Sequence, residues 1–239
     1  VVLIGLAILA YALFREPEQA SGPIVAAPVI VETAPPATDA PTPAAQPTEA
    51  PAPAAAPTEP AQPTATAATQ ASPAEPAPAA SEPLIFEIVQ DRSQARFIID
   101  EVLRGAPKTV VGATNQVAGQ VAVDPANPAA AQVGMIQVNA RTLETDNNFR
   151  NRAIKNQILN TNSYEFVTFQ PTDLVGLPAS VAVGQPFSIQ IVGDLTIRDT
   201  TKPATFDVTV TPVSETQLEG LATVTIPYRD FGLAIPDSP

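Results

Sequence analysis

The sequence predicts an all-β domain with one short helix, set behind an apolar N-terminal run and a proline-rich tract. Three observations carry the prediction. From Phe187 to Val210 apolar and polar residues alternate with a period of two, the repeat that sends successive side chains to opposite faces of a strand. Apolar residues recur at helical spacing in one stretch only, around Phe149 to Ile158,. The composition breaks near Leu84: most of the 28 prolines lie before it and strand-like patterning follows it,. Such an order of strands, one helix and more strands closes as an antiparallel sandwich or barrel.

Val1 to Phe14, VVLIGLAILAYALF, is uncharged and ends abruptly at Arg15 and Glu16. A spanning helix needs about 20 apolar residues. The run is shorter and starts without Met, so it is expected to be cut at its front. It reads as an uncleaved membrane anchor, with a signal peptide cleaved near Ala10-Tyr11-Ala12 as the alternative. Either sends the rest of the chain out of the cytoplasm, to the periplasm or cell surface if anchored and into the medium if cleaved.

Residues 15–83 read as a disordered Pro/Ala/Thr-rich linker, because this composition cannot bury enough apolar surface to offset ordering entropy. At polyproline II rise its densest part would be a spacer on the order of 100 Å long. It carries eight acids, with Arg15 as its one base. The whole chain has a net charge of −12. No basic run offers a nucleic-acid footprint, so that partner class is excluded.

Residues 84–239 form the predicted domain. Phe86 to Val89 is its first strand, and Ala95, Phe97 and Ile99 mark the second. Gly105-Ala106-Pro107 reads as a loop. Val117 to Val123 is a strand closed by a turn at Asp124 to Pro128, and Val133 to Ala140 follows. Asp146 is positioned to cap the helix bearing Phe149, Ala153, Ile154, Gln157 and Ile158. Its Arg150, Arg152 and Lys155 read as a solvated face, with an anion site as the sharper alternative. Phe166 to Phe169 and Val181 to Val183 return to strand. The hairpin from Phe187 to Ile197 turns through Arg198–Pro203 into Phe206, Val208 and Val210. Ala222, Val224, Ile226 and Tyr228 mark the last strand.

The chain has no Cys and no His, which removes thiolate nucleophiles, His-based triads and the usual zinc ligand sets. The adjacent carboxylates Asp100 and Glu101 would face opposite ways in a strand, so an enzyme is not expected. A strand face that alternates this strictly is usually a dry packed core.

Four segments resemble the YceI-like family, the lipocalin-like polyisoprenoid-binding domains. VGDLTIRDTTK at Val192 to Lys202 resembles the family's hairpin. Arg229-Asp230-Phe231-Gly232 matches its closing motif. Arg141 to Phe169 resembles its strand–loop–helix–strand segment, and Gly112 to Asp124 its early strand. Asp199, Asn151 and Glu165 stand where the family usually has Gly, Asp and Pro. The resemblance covers about 84–239 and implies an extended antiparallel lipocalin-like β-barrel around a polyisoprenoid or an isoprenoid quinone. The residues expected to enclose it are Phe169, Phe187, Ile189, Ile191, Leu195, Ile197, Phe206, Val208, Val224 and Ile226. Family members continue past the FG motif into a closing strand, which this sequence is expected to lack. The function expected is a membrane-tethered, extracytoplasmic lipid-binding protein. The alternative is a stalk-displayed β-domain for adhesion or protein–protein interaction, with a packed core and no ligand.

Overall fold

The computed structural model describes residues 15–30, 82–103 and 105–235. The apolar run Val1–Phe14, most of the proline-rich linker and the last four residues lie outside the described residues. Among those described, no helix is long and apolar enough to cross a membrane.

The strands follow in order: β1 (Leu84–Glu87), β2 (Ala95–Leu103), β3 (Ala106–Thr114), β4 (Val117–Ala118), β5 (Gln120–Asp124), β6 (Asn127–Val133) and β7 (Ile136–Asn139). After the helical segment come β8 (Phe166–Val175), β9 (Phe187–Ile197), β10 (Thr200–Ser214) and β11 (Gln217–Thr223). A six-stranded antiparallel sheet has the order β11-β10-β9-β8-β7-β4. It curls into a half-barrel of the lipocalin-like kind expected. β1, β5 and β6 form a second sheet, and β2 and β3 pair with each other.

The hairpin shows why the sheet curls in one sense. Its alternation is observed: Ile189, Leu195 and Ile197 are buried, and Ser188, Gln190 and Asp194 are exposed. The register is continuous from Thr200↔Ile197 to Val210↔Phe187, so the apolar residues of both strands share one face. The turn is tighter than the sequence suggested. It occupies only Arg198 and Asp199, with Arg198 at φ 59°, and Thr200 to Pro203 already belong to β10.

Other boundaries moved as well. Ala106 and Pro107 open β3 rather than a loop. Val181–Val183 is irregular, and both valines are exposed. Short apolar runs without turn chemistry on both sides do not distinguish a strand from a loop. β11 ends at Thr223, and Val224 to Pro227 leave the sheet before a 3-10 turn at Tyr228–Phe231.

The helix α1 (Asn148–Ala153) is capped by Asn147, not Asp146. The Asn147 side chain accepts from the amides of Phe149 and Arg150. Asp146 pairs instead with Lys108 at 3.1 Å and with Arg150. α1 runs on into a π turn, Ile154–Ile158, in which the Leu159 amide donates to the Ile154 carbonyl at 2.8 Å.

Residues 15–30 were grouped with the disordered linker from their sequence. In the structure they form an irregular segment packed on the domain. Ile24 and Ala26 are buried against Ala118, while Val25 between them is exposed. The composition argument fails here because this stretch carries spaced apolar residues and side chains that find partners on the domain.

Candidate functional site

The inner face of the half-barrel is built from β7 to β10. Phe169 on β8 sits opposite Leu195 on one side and Ile136 on the other. Phe206 sits opposite Ile191, and Val208 opposite Ile189. The Phe169 and Phe206 rings meet edge to face, with centroids 4.6 Å apart, a favoured aromatic geometry. Gly193 makes this contact possible. A Cβ at that position would lie 2.3 Å from the Gln170 carbonyl oxygen and 2.8 Å from the Phe169 ring.

The face is not uniform. Phe169, Leu195, Ile197, Ala204 and Phe231 form a buried cluster. Phe231 is 2% exposed; the 3-10 turn after Pro227 lays it over the sheet, and Gly232 ends that turn in the left-handed region at φ 64°. Around the cluster Ile191, Phe206, Val224 and Ile226 are only half-buried. Where Val224–Pro227 separate from β10, an open cleft of about 410 Å³ forms. Ala204, Val224, Ile226 and Phe231 line it, and Lys202 and Asp230 stand among its polar lining.

The structure brings seven of the ten sequence-predicted residues into this one cluster: Phe169, Leu195, Ile197, Ile191, Phe206, Val224 and Ile226. Ile189 and Val208 are buried as a cross-strand pair farther along the hairpin, and Phe187 is half-buried opposite Val210. Val224 and Ile226 reach the cluster from irregular chain, not from a strand. The sequence reading missed Ala204, Ile136, Leu159 and Phe231 as parts of the face. Phe231 had a signal, the RDFG motif, but the motif did not say that its ring turns inward. Leu159 had none, because it follows the π turn and falls outside the helical spacing.

The basic side chains of the helix divide. Arg150 pairs with Glu101 at 3.0 Å and with Asp146. Burial pushes the Lys155 ammonium below its ordinary pKa, and the nearby Glu144 charge opposes that shift,. Arg152 makes no ion pair among the described residues.

A polar knot lies on the opposite face of the sheet. Asn139 is fully buried and donates to Gln116 and Glu165. Glu165 holds Arg141 at 3.1 Å and accepts from the Ser21 amide at 2.8 Å and from the Ser21 hydroxyl. Burial alone would raise the Glu165 pKa. The Ser21 hydrogen bonds, the Asn139 amide and the Arg141 charge outweigh burial and hold it below the ordinary value,. Asn151, the second departure from the family pattern, accepts from the Thr145 amide at 2.8 Å and hydroxyl at 2.7 Å and so closes the loop before α1.

Among the described residues no group of three or more acidic side chains is placed to hold a metal ion. Similar solved structures include BcnA of Burkholderia cenocepacia, with 16% identity, TM-score 0.49, and coverage of 62% of this chain and 86% of that one. A polyisoprenoid binding domain from Saccharophagus degradans has 14% identity, TM-score 0.45, and coverage of 59% and 76%. A Campylobacter jejuni YCEI protein has 15% identity, TM-score 0.38, and coverage of 49% and 67%. The comparison with curated proteins found no match. The profile of the YceI-like domain matches residues 86–238, well over half of the chain, and the protein therefore belongs to the YceI-like family.

Proposed function

We propose that the β-domain holds the apolar chain of an isoprenoid-type lipid or quinone along the inner face of the half-barrel, and that it binds rather than catalyses. The observation that carries this reading is the change in burial along that face. One part is packed dry around Phe231, whereas Ile191 and Phe206 are only half-buried and Val224 and Ile226 line the open cleft. Each Å² of lipid surface removed from water there contributes about 25 cal/mol, less the cost of ordering the chain. Membership of the YceI-like family supports the same reading. The apolar run Val1–Phe14 supports placing the protein at a membrane, with the domain on its extracytoplasmic side. The carboxylates Asp100 and Glu101 support binding over catalysis: Asp100 is exposed, and Glu101, on the other face of β2, is paired with Arg150.

The dry cluster of Phe169, Leu195, Ile197 and Phe231 favours a second reading, a packed display domain without ligand. One experiment separates the two. Organic extracts of the purified protein are analysed by mass spectrometry, beside the variants Ile191→Asp and Ser188→Asp. The carrier yields a long apolar molecule that Ile191→Asp abolishes, because a carboxylate against the chain costs several kcal/mol to desolvate, and that the outer-face change leaves in place. Gln190 is unsuitable as the outer control, because its amide donates to Asp207 and a new acid there would oppose that charge. A protein without extractable lipid, unfolded by Ile191→Asp in circular dichroism, is the display domain.

A further inference from the structure

The segment Arg15–Ile30 is tied to the domain along its whole length. The Arg15 carbonyl accepts from the Asn156 side chain at 2.7 Å. The Glu18 amide donates to Asn162 at 3.1 Å, and the Glu18 carboxylate pairs with Arg141 at 3.2 Å. Ser21 is held by Glu165. The Gln90 amide donates to the Ile24 carbonyl at 2.7 Å, and the Val29 amide donates to Gln120 at 3.2 Å. Gln120 pairs with Glu87 on β1. Val29 is therefore fixed beside the Glu87–Gln120 end of the β1–β5 pair, and Leu84, which follows the proline-rich tract, pairs with Val123 at the other end of the same pair. This geometry does not suit a stalk, which leaves a domain at one end only.

The other end of the segment has a consequence for orientation. Arg15 follows the apolar run directly and is held at Asn156. Phe149, Arg152 and Asn156 follow one another at spacings of three and four residues, which places them on one side of the helical segment. Phe149 is 70% exposed, and Arg152 has no ion pair among the described residues. The tip of the β2–β3 hairpin is tied to the same helix through Glu101 to Arg150 and Lys108 to Asp146. It adds Val102, 66% exposed. An aromatic ring and a basic side chain with an apolar stem suit the boundary between acyl chains and headgroups.

We propose that Arg15–Ile30 is a clasp that seats the helical end of the domain, with Phe149 foremost and the half-buried Arg152 beside it, against the lipid surface entered by Val1–Phe14. The domain then sits on the bilayer rather than at the end of a spacer. This rests on the membrane placement proposed above. It sets the inner face upright on the membrane, with Leu159, which joins the π turn to the apolar cluster, nearest the lipid.

The chain has no Trp, so single probes are available. The full chain carrying Phe149→Trp, or Leu221→Trp at the far end of the sheet, is reconstituted into vesicles of phosphatidylcholine and phosphatidylglycerol containing brominated lipid. Leu221 pairs with Thr209, which pairs with Ser188. That is roughly 30 Å along the strand from the Ile197 end, which meets the helical segment where Arg198 donates to the Ile158 carbonyl. The expected result is loss of most fluorescence at position 149 and none at 221. Adding Glu18→Gln and Ser21→Ala, which loosen the clasp from Arg141 and Glu165, should relieve the quenching at 149 while the protein still floats with the vesicles. Equal quenching at the two positions, or none at 149, overturns the seated face. Quenching unchanged by the clasp substitutions overturns the role of the clasp. A chain that does not float with vesicles overturns the membrane placement and the seating together, whatever the lipid extracts contain.

Discussion

The β9–β10 and β2–β3 hairpins have similar patterns and different fates. Both pair in continuous register, and both set a glycine where an aromatic ring needs room: Gly193 for Phe169 and Gly112 for Phe97. In β9–β10 the apolar face is covered at its Ile197 end, where Phe231 packs on it, and β8 and β11 flank the hairpin. In β2–β3 the two strands form a sheet of their own, and β3 adds a single bridge, Ala113 to Glu144. Phe97 and Ile99 face the domain half-buried, while Ile98, Val102 and Val111 stand exposed on the other side at 67%, 66% and 44%. Alternation decides which residues share a face. The neighbours decide whether that face becomes a core.

The glycines give the sharpest break between the two hairpins. Gly193→Ala drives a Cβ into the Gln170 carbonyl, which is backbone in a central strand and cannot move aside. A loss of about 3 kcal/mol is expected, at the upper end for overpacking, read as a fall in the denaturant midpoint. Ile189→Ala in the same hairpin should cost a similar amount, about 3 kcal/mol, through the cavity it leaves. Gly112→Ala meets only the edge of the Phe97 ring, at 2.1 Å. That ring belongs to a hairpin with one open face and can swing, so about 1 kcal/mol is expected. If Gly112→Ala costs as much as Gly193→Ala, β2–β3 is as rigid as the central hairpin and the comparison fails.

Much of this contrast was legible in the residues. The strict period from Phe187 to Ile197 specified the inner face, because only one assignment of faces leaves it apolar. In β2 the adjacent Ile98 and Ile99 put large aliphatic residues on both faces, and no local rule says which side will be covered. The same limit explains Val224 and Ile226. Their period predicted a strand, yet they leave β10 while keeping their side chains on the apolar cluster. The clasp was illegible for another reason. Arg15–Ile30 has no period of its own, and its partners Arg141, Asn156, Glu165 and Gln120 lie more than ninety positions away in the chain.

The clasp, unlike β9–β10, depends on a partly buried charge at Glu165, and that makes it a pH-sensitive part of the domain. The Glu165 pKa is lowered in the folded state, so its contribution is fully present above the ordinary carboxylate value of about 4.3 and is lost as pH falls through the lowered folded value. The protection of the Ser21 amide, which donates to Glu165, should therefore fall once the pH drops below the ordinary carboxylate value while the amides of β9 and β10 stay protected. Glu165→Gln should remove the pH dependence. The smallest effect is expected at Ile98→Ser, within about 0.5 kcal/mol, as for an exposed site without special contacts. A larger loss would mean that something covers that face.

β10 continues beyond its last contact with β11. Asp207 pairs with Thr223, and from Lys202 to Phe206 the strand has β9 on one flank and, among the described residues, no strand on the other. Such a stretch is a template for another copy of the same chain, because unpaired amides and carbonyls invite a partner strand. Here the template is spoiled by its own residues. Pro203, exposed near the start of the stretch, brings no N–H, and exposed Lys202 beside it would have to surrender hydration to an incoming strand,. The open side of the half-barrel thus resists the edge-to-edge growth that ends in fibrils. Its colloidal safety rests on two residues that contribute little to the fold itself.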